Sequence, residues 1–138
     1  MSTQHAKILI VDDEPQNRKL LEAVLRPGGY ETVSVASGEE ALASIAQRRP
    51  DLVLLDIMMP GMDGYEVASI LKADPATSSI PVIMVTAHAD RAARLASLTA
   101  GAEDILAKPI DRAELWLRIR NLLRLRASSE DGLLQNAP

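Results

Sequence analysis

The sequence contains no cysteine and no phenylalanine, and its two tyrosines and one tryptophan bring aromatics to only 2 %. Without cysteine there are no disulfides, no thiolate metal sites and no cysteine nucleophile. With so few rings, the core has to be built from Leu, Ile, Val, Ala and Met. Positive charge is not in excess either. The formal net charge is -4, the opposite of the basic face that a nucleic-acid binder shows. Arg118, Arg120, Arg124 and Arg126 crowd together near the C-terminus, but cations in the last turns of a helix complement its dipole. No apolar run approaches the roughly 20 residues of a membrane span. The opening MSTQHAK lacks the basic and apolar regions of a signal peptide. The expectation is a cytoplasmic protein with no direct nucleic-acid and no membrane contact.

What is present is a chain of 138 residues that is 47 % hydrophobic, enough for one domain with a real core. The expected division is an N-terminal tail over 1–6, a domain over 7–126 and a C-terminal tail or linker stub over 127–138. Short apolar runs alternate with helical patterns. KILIV (7–11), TVSVA (32–36), LVLLD (52–56), PVIMVT (81–86) and DILA (104–107) read as strands. Between them, Leu20, Leu21, Val24 and Leu25 recur at helical spacing behind Pro15, which suits a first turn. Ser37 with Glu40 and Asp63 with Glu66 are spaced as capping boxes. Gly101 stops a helix that starts near Asp90. Asp111 and Glu114 open a last helix running to about Arg126. Strands apolar on both faces belong in a parallel sheet covered on both sides. The reading is therefore α/β, a doubly wound (βα)5 fold. Ligands of such sheets sit beyond the carboxyl ends of the strands.

LVLLDIMMPGMDGYEV (52–67) is the stretch that raises a chemical question, because a fully apolar strand ends in Asp56. A carboxylate at a core edge is costly unless paired or bound to a metal. The other strand ends supply company: Asp12 and Asp13 after the first, Thr86 after the fourth, Lys108 after the fifth. Three carboxylates in one place repel, and a divalent cation relieves the repulsion. Few hard oxygen donors with room for water suit Mg²⁺ better than Ca²⁺. A cation, an ammonium and a hydroxyl around one carboxylate suit phosphoryl transfer, with Asp56 best placed as the nucleophile. Each residue alone has a duller explanation. Asp12 or Asp13 caps a helix, Lys108 is a solvated lysine, Thr86 is a strand residue. Asp63 and Asp111 are read as caps. His5 and His88 have no partner at metal-ligand spacing. The convergence of the five on one edge is what chance does not supply.

ILIVDDEP (8–15), LVLLDIMMPGMDGYE (52–66), PVIMVTA (81–87) and AKPI (107–110) together resemble the receiver domain of two-component response regulators. The resemblance covers about Lys7 to Arg126. It implies a flavodoxin-like fold with strand order 2-1-3-4-5. It also implies Asp56 as phosphoacceptor, and Mg²⁺ held by Asp12, Asp13, Asp56 and the Met58 backbone carbonyl. Thr86 matches the switch hydroxyl, and Lys108 the lysine on the phosphoryl group, followed by a cis bond to Pro109. Met58 and His88 match positions that tune dephosphorylation. A histidine kinase or a histidine phosphotransfer protein is the implied donor. The receiver itself catalyses transfer and its own slow dephosphorylation. The family's switch aromatic is replaced by Ile105, which leaves the chemistry intact and puts the route from site to surface in question. PGMDGYEVASILKADPATSSIPVIMVTA looks like receivers joined to cyclic-di-GMP enzymes or other signalling domains.

In the last helix Leu115, Trp116, Leu117, Ile119, Leu122, Leu123 and Leu125 exceed one apolar stripe. Trp116 and Leu123 are accordingly candidate interface residues, and a homodimer through helix 4, strand 5 and helix 5 is a candidate assembly. Two other functions compete with the switch. A phosphatase working through an aspartyl phosphate needs a second acid two residues after the nucleophile, where Met58 stands. A pseudo-receiver would be a phosphorylation-independent interaction module.

Overall fold

Each apolar run of the sequence becomes a strand in the computed structural model, which describes residues 5–135, with side chains through Arg126. In chain order the elements are β1 (Lys7–Val11), α1 (Pro15–Leu25), β2 (Glu31–Val35), α2 (Gly38–Gln47), β3 (Leu52–Asp56), α3 (Gly64–Ala73), β4 (Val82–Thr86), α4 (Arg91–Thr99), β5 (Asp104–Ala107) and α5 (Arg112–Gln135), with a short 3-10 turn at Arg26–Gly28 after α1. All strand pairs are parallel and the order is β2-β1-β3-β4-β5, the doubly wound α/β arrangement expected. Caps set the helix starts. Ser37, Asp63, Asp90 and Asp111 each accept a main-chain N–H, from Glu40, Glu66, Ala93 and Glu114 respectively, which satisfies a donor the helix leaves open. Gly101, at φ 94, ends the α4 turn.

Alternation along the central strands splits the core in two. Leu9, Val11, Val53 and Leu55 face α2 and α3, where they meet Ala41, Ile45, Val67 and Leu71. Ile8, Ile10, Leu52 and Leu54 face α1 and α5, where they meet Leu21, Leu25, Leu115 and Ile119. Both faces of the sheet are therefore covered, as its apolar strands require.

The amino edge of the sheet is tied by polar links. Asp51 accepts the Lys7 N–H at 2.7 Å, and Arg126 reaches the Asp51 carbonyl at 3.1 Å. Lys72 donates to the Ile80 carbonyl at 2.7 Å and pairs with Glu103 at 2.7 Å, which itself accepts the Val82 N–H. On the outer strand β5, the Asp104 carboxylate accepts the N–H of Ile105 at 2.8 Å and pairs with Arg118 at 3.3 Å.

Two expectations change. Leu123 is not free to form an interface, and Trp116 is half-buried, with only part of its surface open to one. Leu123 is only 6 % exposed and packs in the α1/α5 core. The Trp116 indole N–H donates to the Val24 carbonyl at 2.8 Å, with the Arg112 guanidinium over the ring. The helix carries more than one apolar stripe because it covers α1 as well as the sheet. Among the described residues of α5, the outward large apolar side chains are Leu117 and Leu125. In addition, α5 continues past Arg126 to Gln135, since no proline interrupts it before Pro138. The part of the N-terminal tail over 1–4 lies outside the described residues, as do 136–138 at the other end.

Candidate functional site

β1 and β3 are neighbours although β2 lies between them in sequence. The chain reverses its winding there, so the carboxyl ends of β1 and β3 open a crevice. Val11 pairs with Leu55, which sets Asp12 beside Asp56. The ladder continues beyond the strand ends. Ile57 N–H donates to the Val85 carbonyl at 3.1 Å and Lys108 N–H to the Thr86 carbonyl at 2.8 Å. Thr86 and Lys108 are thereby drawn to the same edge. The Lys108–Pro109 bond is cis.

Asp12, Asp13 and Asp56 each offer a carboxylate oxygen, and these oxygens lie within 4.8 Å of one another. Asp12 and Asp56 are buried and Asp13 is half-buried. The Lys108 ammonium stands 3.1 Å from Asp12 and 3.4 Å from Asp56. Thr86 is buried, and its hydroxyl accepts the His88 N–H at 3.2 Å. The five residues singled out in the sequence are thus at one edge, with Lys108 paired to Asp12 and Asp56 and Asp13 beside the two acids. Met58 follows on the loop after β3. Its side chain is 70 % exposed, and its backbone engages the Asp56 carboxylate. Ile105 lies one strand over, partly buried against the α2/α3 core.

Burial pushes the Asp56 carboxyl up to about 6, helped by the negative charge of Asp12 and opposed by Lys108 and the Met58 backbone. Burial works against the Lys108 ammonium, but the Asp12 hydrogen bond and the charges of Asp56 and Asp12 outweigh it, and the net direction is upward. One ammonium therefore does not neutralise the cluster. Hard oxygen donors in negative excess are the donor set that a small divalent cation takes.

Three features of the site carried no sequence signal strong enough to name them. Asp12 accepts the Glu14 N–H at 2.9 Å, an Asx turn where a helix cap was the duller expectation; the residue at the helix cap is Glu14, without a side-chain bond. Arg18, one turn into α1, donates to the Asp12 carbonyl at 2.7 Å. Gly64 donates its N–H to the Ile57 carbonyl at 2.9 Å, so close that a Cβ there would lie 2.5 Å from the Asp56 carbonyl oxygen. Beside Lys108, between α1 and the β5–α5 connection, a mainly apolar groove of about 340 Å³ is lined by Asn17, Leu20, Val85, Pro109 and Ile110.

The sequence pattern of the response regulator receiver domain matches residues 8–120. The response regulator PleD of Caulobacter vibrioides is 48 % identical over 121 residues, which are 88 % of this chain and 27 % of that protein. The DNA-binding response regulator MtrA of Mycolicibacterium smegmatis is 42 % identical over 90 % of this chain and 53 % of that protein. The chain thus spans between about a quarter and a half of the length of these relatives. Among solved structures, a putative response regulator from Chloroflexus aurantiacus superposes with a TM-score of 0.84 at 42 % identity, covering 87 % of this chain and 98 % of that one. The receiver domain of the sensor histidine kinase PA1611 from Pseudomonas aeruginosa, solved with magnesium coordinated in its active-site cleft, has a TM-score of 0.80 at 37 % identity, covering 86 % and 98 %.

Proposed function

The chain belongs to the response regulator receiver family, and on that premise we propose that it is a phosphoacceptor switch of a two-component phosphorelay, with Asp56 taking a phosphoryl group from the phosphohistidine of a histidine kinase or a histidine phosphotransfer protein. The observation that carries this reading is the buried Asp56 carboxyl at the end of the central strand, 3.4 Å from the Lys108 ammonium and clustered with Asp12 and Asp13.

An Asp56 oxygen attacks phosphorus, the donor's N–P bond breaks, and an acyl phosphate forms. With a pKa near 6, Asp56 is ionised at neutral pH and more basic than an ordinary carboxylate. Negative charge on the transferring oxygens is met by Lys108, held at the site by Asp12 and Asp56, and, after a small displacement, by the Thr86 hydroxyl at the end of β4. Mg²⁺ is the cofactor the donor set fits: Asp12, Asp13, Asp56 and the Met58 backbone carbonyl would hold it. Bound there, it supplies charge neutralisation for the carboxylates and the phosphoryl group. The groove at Leu20, Pro109 and Ile110 gives the donor an apolar seat beside Lys108.

The same residues make the chain catalyse its own phosphorylation and slow dephosphorylation, with Met58 and His88 placed to set the lifetime. The output face is α4–β5–α5, where Leu95, Leu98 and Leu117 are 52 %, 64 % and 47 % exposed. A phosphorylation-biased homodimer or contact with an attached output domain forms there. Residues 7–126 are the receiver, and 127–138 are a C-terminal tail or linker stub. A cytoplasmic location follows from the phosphohistidine donor. No helix among the described residues is long and apolar enough to cross a membrane.

The test is incubation with Mg²⁺ and acetyl phosphate or phosphoramidate, followed by intact mass, with Asp56→Asn beside the wild type. One phosphoryl group is expected in the wild type alone. Labelling of both, or of neither with a cognate donor, ends the reading. Partner binding indifferent to Asp56→Asn would mark the interaction module instead.

A further inference from the structure

Asp12 is held from every side. Its N–H donates to the Val35 carbonyl at 3.2 Å. One carboxylate oxygen accepts the Glu14 N–H and the other takes Lys108. The remaining polar atom is its carbonyl oxygen, at the start of the β1–α1 turn. It is taken by Arg18 at 2.7 Å, whose own N–H anchors to the Glu14 carbonyl at 3.2 Å. Arg18 therefore bridges the first turn of α1 and the end of β1, and the residues enclosed by that bridge include Asp12 and Asp13. Its guanidinium faces main chain, while the electrostatics of Asp56 are carried by Asp12 and Lys108.

We propose that Arg18 is a positioning residue for the acidic cation site: by holding the Asp12 carbonyl it fixes the turn that presents the Asp12 and Asp13 carboxylates together. A cation demanding near-ideal oxygen geometry, as Mg²⁺ does, is sensitive to such a turn. Ligand-supporting hydrogen bonds of this kind are commonly worth 10–100-fold in metal affinity. Electrostatics alone points the other way, because removing a positive charge near three carboxylates favours a cation. The sign of the effect thus separates positioning from charge.

The proposal rests on the cluster being a cation site, and its test needs no phosphodonor. Mg²⁺ affinity of the full chain is measured by calorimetry, with Mn²⁺ paramagnetic resonance as a second readout, for wild type, Arg18→Met, Arg18→Lys and the surface control Lys19→Met. Methionine keeps the stem and the helix propensity and loses the donors; lysine keeps a donor. The expected result is an Arg18→Met Kd about tenfold weaker, Arg18→Lys within about threefold of wild type, and Lys19→Met unchanged. At saturating Mg²⁺ the rate of labelling by a small donor should stay within about twofold, placing the loss in binding. An unchanged or tighter Kd in Arg18→Met overturns the proposal. So does equal weakening in Met and Lys variants, which puts the effect in helix packing, or a wild type that binds no divalent cation. A wild type that binds Mg²⁺ yet is never phosphorylated would end the phosphoacceptor reading and leave this one standing. If Arg18→Met melts before it can be titrated, Arg18→Lys against Arg18→Gln makes the same comparison, glutamine being too short to span the turn.

Discussion

At the scale of single side chains, Asp56 bears a clear electrostatic cost. Its carboxyl holds a proton up to about pH 6 in the fold, against 3.8 ordinarily, so the folded state binds more protons than the unfolded one between those values. Stability therefore falls as pH rises through that window, and the cost is fully present above it. It is on the order of 2–3 kcal/mol. Without divalent cation, Asp56→Asn should raise the unfolding free energy at pH 7.5 by about 2 kcal/mol more than at pH 4. Denaturant titrations at the two pH values check this, and an equal gain at both would contradict it. Gly64 has a steric constraint of its own. Its missing Cβ lets α3 start against the Asp56 and Ile57 backbone, and Gly64→Ala should cost about 1–3 kcal/mol and slow Asp56 labelling by moving the loop.

The elements show where sequence patterns inform and where they stop. Strand ends were legible because a residue such as Asp56 breaks an apolar run sharply, and caps at Ser37, Asp63 and Asp111 were legible because their partners lie three residues on. Direct evidence for the site was the convergence of strand ends, which topology alone produces. The Arg18 contact was hidden because a long side chain reaching a main-chain oxygen leaves no periodicity. The burial of Leu123 and the partial burial of Trp116 were hidden because helical periodicity counts stripes without saying how many neighbours the helix has. α5 has two, the sheet and α1. That assignment is checked on one helix: Leu115→Ala, at a position with no exposure, should cost about 2–5 kcal/mol, and Leu117→Ala, at a position 47 % exposed, about 1 kcal/mol or less. Comparable losses would show that α5 faces differently.

On the scale of the whole molecule, the two edges of the sheet are unlike. The amino edge is closed by satisfied links, Asp51 to Lys7 and Arg126, and Lys72 to Glu103. The carboxyl edge gathers three carboxylates around one ammonium. A cation that binds only the folded chain adds stability by mass action, about 1.4 kcal/mol for each tenfold rise in free Mg²⁺ above its Kd. Thermal melts across a Mg²⁺ series should show that rise in the wild type and lose most of it in Asp13→Asn. A melting temperature indifferent to Mg²⁺ would contradict the cation site.

The outer strand β5 has a consequence for solubility. DILA is short and apolar at its centre, and an outermost strand with bare donors is a template for pairing with another chain. Here the Ile105 N–H is already taken by the carboxylate of the preceding residue, and that carboxylate is pinned by Arg118. Asp104 thus acts as a gatekeeper against edge-to-edge stacking. With that donor engaged, the strand offers one fewer open group to indiscriminate β-aggregation.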